Sequence, residues 1–383
     1  MRRTGPASVS RRAVLLGGAA ALGTATALPT APVCAGGAAG SRGLAARAAL
    51  KGLLFGASFA THELDKPYGP GYAELYKSEA RILTSELELK LSTLRPSADR
   101  LDFAPADRLV AFARESGHVL HGHTLIWNDA LPAWVGRLDT VEREQLLETH
   151  IFSVLERYRH GIPTWDVVNE PIAPWDHLPG NLRGGAFYDA LGDGYIAKSF
   201  SLARAAAPNA RLFLNEAQTE SDDENGRVFR ESLKALLQRL KDEGVPVDGV
   251  GLECHLDTRR PYDFPRFADF VAQLGEMGFD LAISELDVND AGLSDDPNER
   301  DAQVADIYGR FLKAVLAVKA VRRLTLWQMA DHTSWLYYED LDHHPRVRRR
   351  PRPLPFDAKF QRKRAWHAIA RALDDMPARP EAG

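Results

Sequence analysis

Cysteine is nearly missing from this sequence. Its 383 residues contain only 2 cysteines, Cys34 and Cys254, which lie far apart along the chain. A disulfide framework, or a zinc site built from thiolates, needs more cysteines at closer spacing. The composition therefore argues against both kinds of site. It predicts a fold that depends on its apolar core, for which a chain with 45% apolar residues has ample material.

An excess of charge of either sign is also lacking. Lys and Arg together number 48, Asp and Glu number 52, and the formal net charge is -4. A nucleic-acid-binding protein, or a protein that adsorbs to an anionic membrane, normally carries a clear positive excess. We therefore expect neither nucleic acid nor a membrane surface as a partner.

The first 35 residues are typical of a targeting segment. Arg11 and Arg12 precede an apolar run that extends to about Leu28, and small residues follow. This pattern predicts a cleavable twin-arginine signal peptide, and hence export to the periplasm or the cell exterior. The alternatives are a membrane anchor, for which the run is short and rich in Gly and Ala, and a lipid anchor at Cys34.

Short apolar runs of the strand-forming type occur eight times after this segment. They begin at Leu53, Ile82, His118, Trp165, Arg211, Val250, Leu281 and Leu324. The segments between them carry apolar residues at helical spacing, as at Leu109, Phe112 and Ala113. Eight strands alternating with helices predict a single (β/α)8 TIM barrel over residues 51–375.

On this reading, residues 36–50 form a flexible leader and residues 376–383 form a tail. The structural alternative is a doubly wound open sheet. That fold commonly carries a glycine-rich phosphate loop after its first strand, and the sequence lacks such a loop.

Polar residues end many of the predicted strands. The set comprises Glu86, His123, Asn169, Glu170, Asn215, Glu216, His255, Glu285 and Trp327. In a (β/α)8 barrel the carboxyl ends of all strands meet at one mouth, where active sites form. The sequence therefore predicts a cleft lined by carboxylates, imidazoles and amides.

Two carboxyl groups facing each other across such a mouth suit the cleavage of a glycosidic bond. One must be protonated to give its proton to the leaving oxygen, and the other must be ionised to attack the anomeric carbon. Glu170 and Glu285 are the best pair, because each lies at or close to the end of an apolar strand. The sequence has neither the His-Glu-x-x-His pattern of a zinc hydrolase nor the Gly-x-Ser-x-Gly elbow of a serine hydrolase. We expect no metal and no other cofactor.

Tryptophans are placed where a sugar cleft would need them. Trp127 and Trp327 lie at or just past strand ends, and Trp335 lies in the loop after the eighth strand. Aromatic faces pack well against the C–H faces of sugars, so we expect these three in the cleft. Trp165, inside a strand, and Trp366, on the last helix, are expected to fill the core.

Five segments together resemble the signature of family-10 glycoside hydrolases, most of which are retaining endo-β-1,4-xylanases. They are HGHTLIW (121–127), WDVVNEP (165–171), GLECHL (251–256), ISELDV (283–288) and LTLWQMADHTSW (324–335). The likeness extends from about Leu53 to Ala372. It implies double displacement through a glycosyl-enzyme, with the two carboxyl groups roughly 5–5.5 Å apart.

The resemblance also implies roles for single residues. Glu170 matches the general acid/base and Glu285 the nucleophile. Asn169 matches the amide that holds the 2-hydroxyl of the reacting sugar, and His255 matches the imidazole bonded to the nucleophile, with Asp287 orienting it. Sugar-binding positions are matched by Glu86, Lys90, His123, Trp127, Trp327 and Trp335. Glu170 must be protonated near neutral pH, so we expect burial or a nearby negative charge to raise its pKa.

The sequence departs from the family pattern in three informative places. Leu87 replaces an asparagine that contacts the second sugar on the non-reducing side, and Ala130 replaces a glutamine just past Trp127. Lost donors leave sugar hydroxyls unpaired and so change specificity. Glu253 stands where the family has a glutamine, and we expect its negative charge to raise the pKa of Glu285.

Residues 346–352 contain five arginines in seven positions. One interpretation is a solvated loop. The other is a wall of the cleft that binds uronic acid carboxylates through bidentate contacts.

The leading hypothesis is an exported, monomeric, retaining endo-1,4-β-xylanase that binds and hydrolyses xylan-type polysaccharide. One alternative keeps the fold and the mechanism but acts on a different glycan or a small glycoside, because of Leu87 and Ala130. The other is a sugar-binding barrel without catalysis, against which the presence of both carboxylates argues.

Overall fold

The computed structural model describes residues 42–337 and 349–379. The predicted signal peptide, residues 1–35, lies outside the described residues. Within the described ranges, no helix is both long and apolar enough to cross a membrane.

A ring of parallel strands forms the centre of the fold. The strands are β1 (Leu54–Phe59), β2 (Ile82–Ser85), β3 (Val119–Gly122), β4 (Thr164–Asn169), β5 (Arg211–Glu216), β6 (Gly249–Leu252), β7 (His255–Asp257), β8 (Asp280–Asn289) and β9 (Val321–Leu326). Consecutive strands pair from β1 to β6, β6 pairs with β8, and β8 pairs with β9. The pairing of β9 with β1 closes the ring. The predicted (β/α)8 barrel is confirmed, with β7 as a short addition to its eight strands.

Helices surround the ring. They are α1 (Leu44–Ala49), α2 (Gly69–Glu79), α3 (Leu91–Leu94), α4 (Ala104–Ser116), α5 (Thr140–Tyr158), α6 (Ala186–Leu191), α7 (Gly194–Ala206), α8 (Glu224–Asp242), α9 (Phe264–Glu276), α10 (Pro297–Val315) and α11 (Arg364–Asp375). Local signals set their ends: Asp139 and Glu142 form a capping box at the start of α5, and Gly117 ends α4 in the left-handed conformation. The apolar face of each helix packs against the strands and closes the core.

The sixth predicted strand is interrupted, and the interruption matters for the site. The run from Val250 to His255 was expected to be continuous, but Cys254 adopts a left-handed conformation with φ 62°. The strand therefore ends at Leu252, and β7 begins again at His255. Strand β7 pairs with the far end of β8, where His255 lies opposite Asp287.

The expectation of a flexible leader is wrong for the residues next to the barrel. Leu44 and Ala48 of α1 are fully buried, because α1 packs against α11 and β1. The described part of the tail, residues 376–379, also contacts the barrel. The guanidinium of Arg379 donates to the backbone oxygens of Leu316 and Val321, and the backbone N–H of Arg379 donates to Lys51. Both ends of the described chain therefore belong to the barrel.

Candidate active site

Glu170 lies at the carboxyl end of β4, on a backbone that turns into the mouth of the barrel. Its φ is 47°, and its N–H donates to the carbonyl oxygen of Asn215 at 2.8 Å. Its Oε2 accepts from Trp127 Nε1 and from Arg183 Nη2, both at 3.1 Å. Burial raises the pKa of Glu170, with Arg183 opposing the shift and Glu285 adding to it. The expected rise in the pKa of Glu170 is confirmed.

Glu285 lies within β8, and its pKa is lowered. Its Oε1 accepts from Asn215 Nδ2 at 2.9 Å, and its Oε2 lies 3.3 Å from His255 Nε2. Burial by itself would raise the pKa of Glu285, but the charges of His123, His255 and Lys90 outweigh it and lower the pKa. The pKa is therefore raised in one carboxyl group and lowered in the other, as the pairing of a general acid with a nucleophile requires.

His255 connects Glu285 to a second carboxylate. Its Nδ1 lies 3.0 Å from Asp287 Oδ1, and Asp287 Oδ2 accepts from Trp335 Nε1 at 2.6 Å. Burial alone would lower the pKa of His255, but Asp287 and Glu285 raise it well above its ordinary value. The orienting role that the resemblance implied for Asp287 agrees with these contacts.

We expect Asp287→Asn to move the acidic limb of kcat/KM to higher pH. An amide no longer raises the pKa of His255, so the imidazole becomes neutral at lower pH. A neutral His255 in turn no longer lowers the pKa of Glu285, which then takes up a proton at a higher pH. Profiles measured on an aryl β-xyloside test this, with the exposed Asp306→Asn on α10 as the control. An acidic limb that coincides with that of the wild type would contradict the role of Asp287.

The side-chain amide of Asn215 connects Asn169 to the carboxyl groups of Glu285 and Glu253. Its Nδ2 lies within hydrogen-bond distance of Asn169 Oδ1 (2.8 Å), Glu285 Oε1 (2.9 Å) and Glu253 Oε1 (3.1 Å). Ser284 Oγ donates to its Oδ1 at 2.6 Å. The amide oxygen of Asn169 accepts a hydrogen bond from Asn215. The amide nitrogen of Asn169 therefore remains available to donate to a sugar hydroxyl, as the resemblance implied.

The expectation for Glu253 is wrong. Its side chain is buried, and burial together with the charges of Glu285 and Glu170 raises its own pKa well above the ordinary value. The pKa of Glu285, by contrast, is lowered. The raised pKa of Glu253 and the lowered pKa of Glu285 place the proton of this pair on Glu253. A neutral Glu253 resembles the glutamine of the family in charge.

A buried chain of ionisable groups lies beneath the mouth. Asp166 Oδ2 lies 2.8 Å from His121 Nε2 and 3.0 Å from His123 Nδ1. His123 Nδ1 is in turn 3.8 Å from Glu285 Oε1. On the other side, Arg323 of β9 donates to His121 Nδ1. The same guanidinium also lies within hydrogen-bond distance of His121 Nε2, at 3.3 Å. Asp166 and Arg323 were not predicted, since a strand interior gives no sign of which polar residue faces inward.

The predicted sugar-binding residues come together on one side of the mouth. Lys90 Nζ lies 4.9 Å from the ring centroid of Trp127 and 5.9 Å from that of Trp327. The rings of His123 and Trp327 are 5.4 Å apart. Glu86 directly follows β2, its carboxylate accepts from Ser58 Oγ of β1 at 3.4 Å, and burial raises its pKa to about 7.

The departures from the family pattern lie at the edge of this group. Leu87 is 39% exposed. Ala130 ends the turn Asn128–Ala130 that follows Trp127. Neither residue offers a side-chain donor, so the outer sugar on this side has fewer polar contacts than the resemblance would supply.

One group of side chains in the described ranges has ligand spacing. Atoms of Glu253, His255 and Glu285 all lie within 4.8 Å of one another. A metal ligand must be deprotonated. Both nitrogens of His255 instead face carboxylates, and the pKa of His255 is raised. His255 and Glu253, whose pKa values are raised, therefore fit proton-holding roles, and we assign no metal to the group.

The arginine-rich segment is only partly described. Arg346 and Arg348 lie outside the described residues. Arg349 Nη1 and Nη2 donate to the carbonyl oxygens of residues 290, 291, 293 and 294 and to Asp295. Arg352 pairs with Asp301, and Arg350 lies over the ring of Tyr337. The guanidinium groups of Arg349 and Arg352 thus bind other parts of the protein. This disfavours the interpretation of these two residues as a wall that binds uronic acids.

Arg183 is the functional residue that sequence reasoning missed. It donates to both the backbone oxygen (2.6 Å) and the carboxylate (3.1 Å) of Glu170, and it also pairs with Asp129. It lies in a loop rich in glycine, with no periodic pattern around it. The only available signal was its position within 13 residues of Glu170.

Comparison with known proteins places this site in a wider context. The model of the family described as Glycosyl hydrolase family 10 matches residues 43–372. A thermostable celloxylanase of Thermoclostridium stercorarium is 33% identical over 331 residues, which covers 78% of this chain and 82% of the relative. Endo-1,4-beta-xylanase B of Thermotoga neapolitana is 28% identical over 313 residues, with coverages of 81% and 85%.

Solved structures agree with the sequence relatives. The crystal structure of xylanase 10B from Thermotoga maritima superimposes with a TM-score of 0.77 at 28% identity, covering 87% of this chain and 98% of that one. Xylanase 10B from Thermotoga petrophila, solved in complex with xylobiose, gives the same TM-score at 27% identity. The coverages for that pair are 87% and 97%.

Proposed function

The chain belongs to glycosyl hydrolase family 10, a family of retaining glycoside hydrolases, and from this premise we infer that it is an endo-1,4-β-xylanase acting on xylan-type polysaccharide. One observation carries the inference. Glu170 and Glu285 lie at the mouth of one barrel, and their pKa values are shifted in opposite directions, up for Glu170 and down for Glu285. That is the pair that a double displacement requires.

The first step forms a bond between a carboxylate oxygen of Glu285 and the anomeric carbon, while the bond to the leaving sugar oxygen breaks. Glu170 gives its proton to that oxygen. The charge on Glu170 then becomes negative, and the donors already in place, Trp127 Nε1 and Arg183 Nη2, stabilise it.

In the second step Glu170 acts as a base. It removes a proton from water, the water oxygen attacks the anomeric carbon, and Glu285 leaves as a carboxylate. His255 and His123 stabilise the returning charge of Glu285. Two inversions at one carbon give net retention. The separation of roughly 5–5.5 Å between the two carboxyl groups stays a prediction for a crystal structure.

A second candidate function is supported by the edge of the cleft. Leu87 and Ala130 supply no polar contact for an outer sugar, which favours a substrate with fewer hydroxyls there, or a small glycoside. The chemistry at Glu170 and Glu285 would be the same.

A product profile tests these functions against each other. The purified chain from residue 36 onwards would be incubated with glucuronoxylan, arabinoxylan, a neutral mixed-linkage glucan and an aryl β-xyloside. Short xylo-oligosaccharides from the xylans would establish the endo-xylanase. Cleavage of the aryl glycoside alone would establish the same chemistry on a different substrate. No cleavage of any of them would reject the proposal.

Export by the twin-arginine route is part of this proposal. It is supported by Arg11 and Arg12 before an apolar run. Activity measured in separated periplasmic, cytoplasmic and culture fractions tests it, and activity confined to the cytoplasm would reject it.

A further inference from the structure

Trp175 lies five residues after Glu170, in the turn Pro174–Asp176, and is 50% exposed. The two tryptophans that fill the core, Trp165 and Trp366, are 0% and 2% exposed. An exposed aromatic ring on its own is no sign of a site. The surroundings of this one, however, connect it to the reaction centre.

The ring of Trp175 is held in place before any ligand arrives. Its centroid lies 5.9 Å from that of Phe229, a buried residue of α8. The guanidinium of Arg183 lies over the ring, 5.6 Å from the centroid. The turn itself is fixed by the Gly184 N–H, which donates to Asp176 Oδ2 at 2.8 Å. A ring fixed in this way loses little conformational entropy when a ligand packs on it.

Arg183 also sets the distance between Trp175 and the acid/base. The same guanidinium that lies over the ring donates to Glu170 Oε2 at 3.1 Å. Adding one C–N bond to these two contacts places the ring centre at most about 10 Å from the carboxyl oxygen. That is the reach of one or two sugar units from the bond that breaks.

The strand order shows on which side of the bond the ring lies. Glu170 follows β4 and Glu285 lies on β8, which divide the ring into two arcs. The longer arc, through β3, β2, β1 and β9, carries Lys90, Trp127 and Trp327 and holds the non-reducing side. Trp175 packs on α8, the helix that follows β5, and so belongs to the other arc.

We propose that Trp175 is a platform for a sugar on the leaving-group side of the cleft, on which a β-linked pyranose of the substrate packs its C–H face. The chemistry fits, because a rigid, half-exposed indole offers a flat apolar surface with polar groups at its rim. The proposal rests on the glycan-hydrolase function inferred above and adds a residue that contacts the leaving part of the substrate.

The test compares two substrates that differ in the leaving group. On a xylo-oligosaccharide or xylan, we expect Trp175→Ala to lower kcat/KM about tenfold, mainly through KM, because a stacking contact is lost. On an aryl β-xyloside, which has no sugar on that side, we expect kcat/KM within about twofold of the wild type. Trp175→Phe should recover part of the loss. Phe152→Ala, on an aromatic of α5 that is 41% exposed, is the matched control.

Each other outcome overturns the proposal. Equal loss on both substrates would mean that Trp175 acts by supporting Arg183 and Glu170. Unchanged activity on both would mean that the ring contacts no substrate.

Transfer of the glycosyl group to an added sugar tests the role of Trp175 even if the enzyme does not cleave the polysaccharide. If the wild type cleaves only the aryl β-xyloside, the proposed polysaccharide has failed, but the Trp175 proposal can still be tested. The glycosyl group on Glu285 passes to the hydroxyl of an added xylose or xylobiose, and Glu170 takes the hydroxyl proton. We expect Trp175→Ala to lower the ratio of transfer to hydrolysis. An unchanged ratio overturns the proposal.

Discussion

Glu285→Ala is expected to lower kcat on every glycoside that the wild type cleaves by a factor on the order of 10⁵. The reason is that no other described carboxylate can replace the nucleophile. Glu253 is close, but its burial, which the substitution of Glu285 does not remove, raises its pKa. Glu170 is held by Trp127 and Arg183 at the other side of the reacting carbon. Initial rates on an aryl β-xyloside, measured with enough enzyme to detect the residual activity, test the prediction.

Azide makes the test specific for the nucleophile. The space left by the side chain of Glu285 admits a small anion, which attacks the anomeric carbon directly. One displacement instead of two inverts the configuration, so the product would be an α-glycosyl azide. Glu276→Ala, exposed at the end of α9, is the control for a removed carboxylate. Residual activity above about one part in a hundred without azide would show that Glu285 is not the nucleophile.

Glu170→Ala is expected to have an effect that depends on the leaving group. On xylan the leaving group is an alcohol, which leaves poorly without a proton. Loss of the proton donor should therefore lower kcat/KM on xylan by a factor of about 10²–10⁴. On a dinitrophenyl β-xyloside, whose leaving phenol needs no proton, kcat/KM should fall far less. The second step then becomes slow for lack of a base, so the glycosyl-enzyme accumulates. Azide should release it with the β configuration retained.

The same variant checks the pH dependence. Glu170 is active while protonated, and burial raises its pKa. Activity of the wild type should therefore fall as the pH rises through that pKa. The alkaline limb should disappear in Glu170→Ala measured on the dinitrophenyl substrate. A limb that persists would assign it to another group, for example to the raised pKa of His255.

Strand ends were the part of the site that the sequence predicted well. In a barrel, position along the chain and position at the mouth are linked, so Glu170, His123 and Trp327 could be placed from the sequence. Glu285, also expected at or close to a strand end, lies inside β8, which continues to Asn289. Contacts across the barrel were harder. The bond from Asn215 to Glu285 joins residues 70 positions apart, and it depends on which face of each strand turns inward.

Three further features that the sequence did not predict have local causes. Arg183 comes from a glycine-rich loop, whose path follows from tertiary contacts and has no periodicity to read. The left-handed conformation of Cys254 interrupts a run of strand-forming residues, and non-glycine residues seldom adopt it. Glu253 was given the wrong charge state because a pKa depends on burial and on all neighbouring charges, which composition does not reveal.

The pairing of β1 with β9 determines which part of the cleft forms last. Leu54 pairs with Arg323, so the ring is closed by a contact between the two ends of the described chain, and such distant contacts form slowly. Beside this seam, Gln328 donates its N–H to Ser58 Oγ, and Ser58 bonds to Glu86. A chain still lacking the residues from Val321 onwards has both carboxylates but no Trp327, and its β1 pairs with β2 alone. The half of the mouth that carries Trp327 is therefore completed last, and hydrolytic activity arises only after β9 has been synthesised.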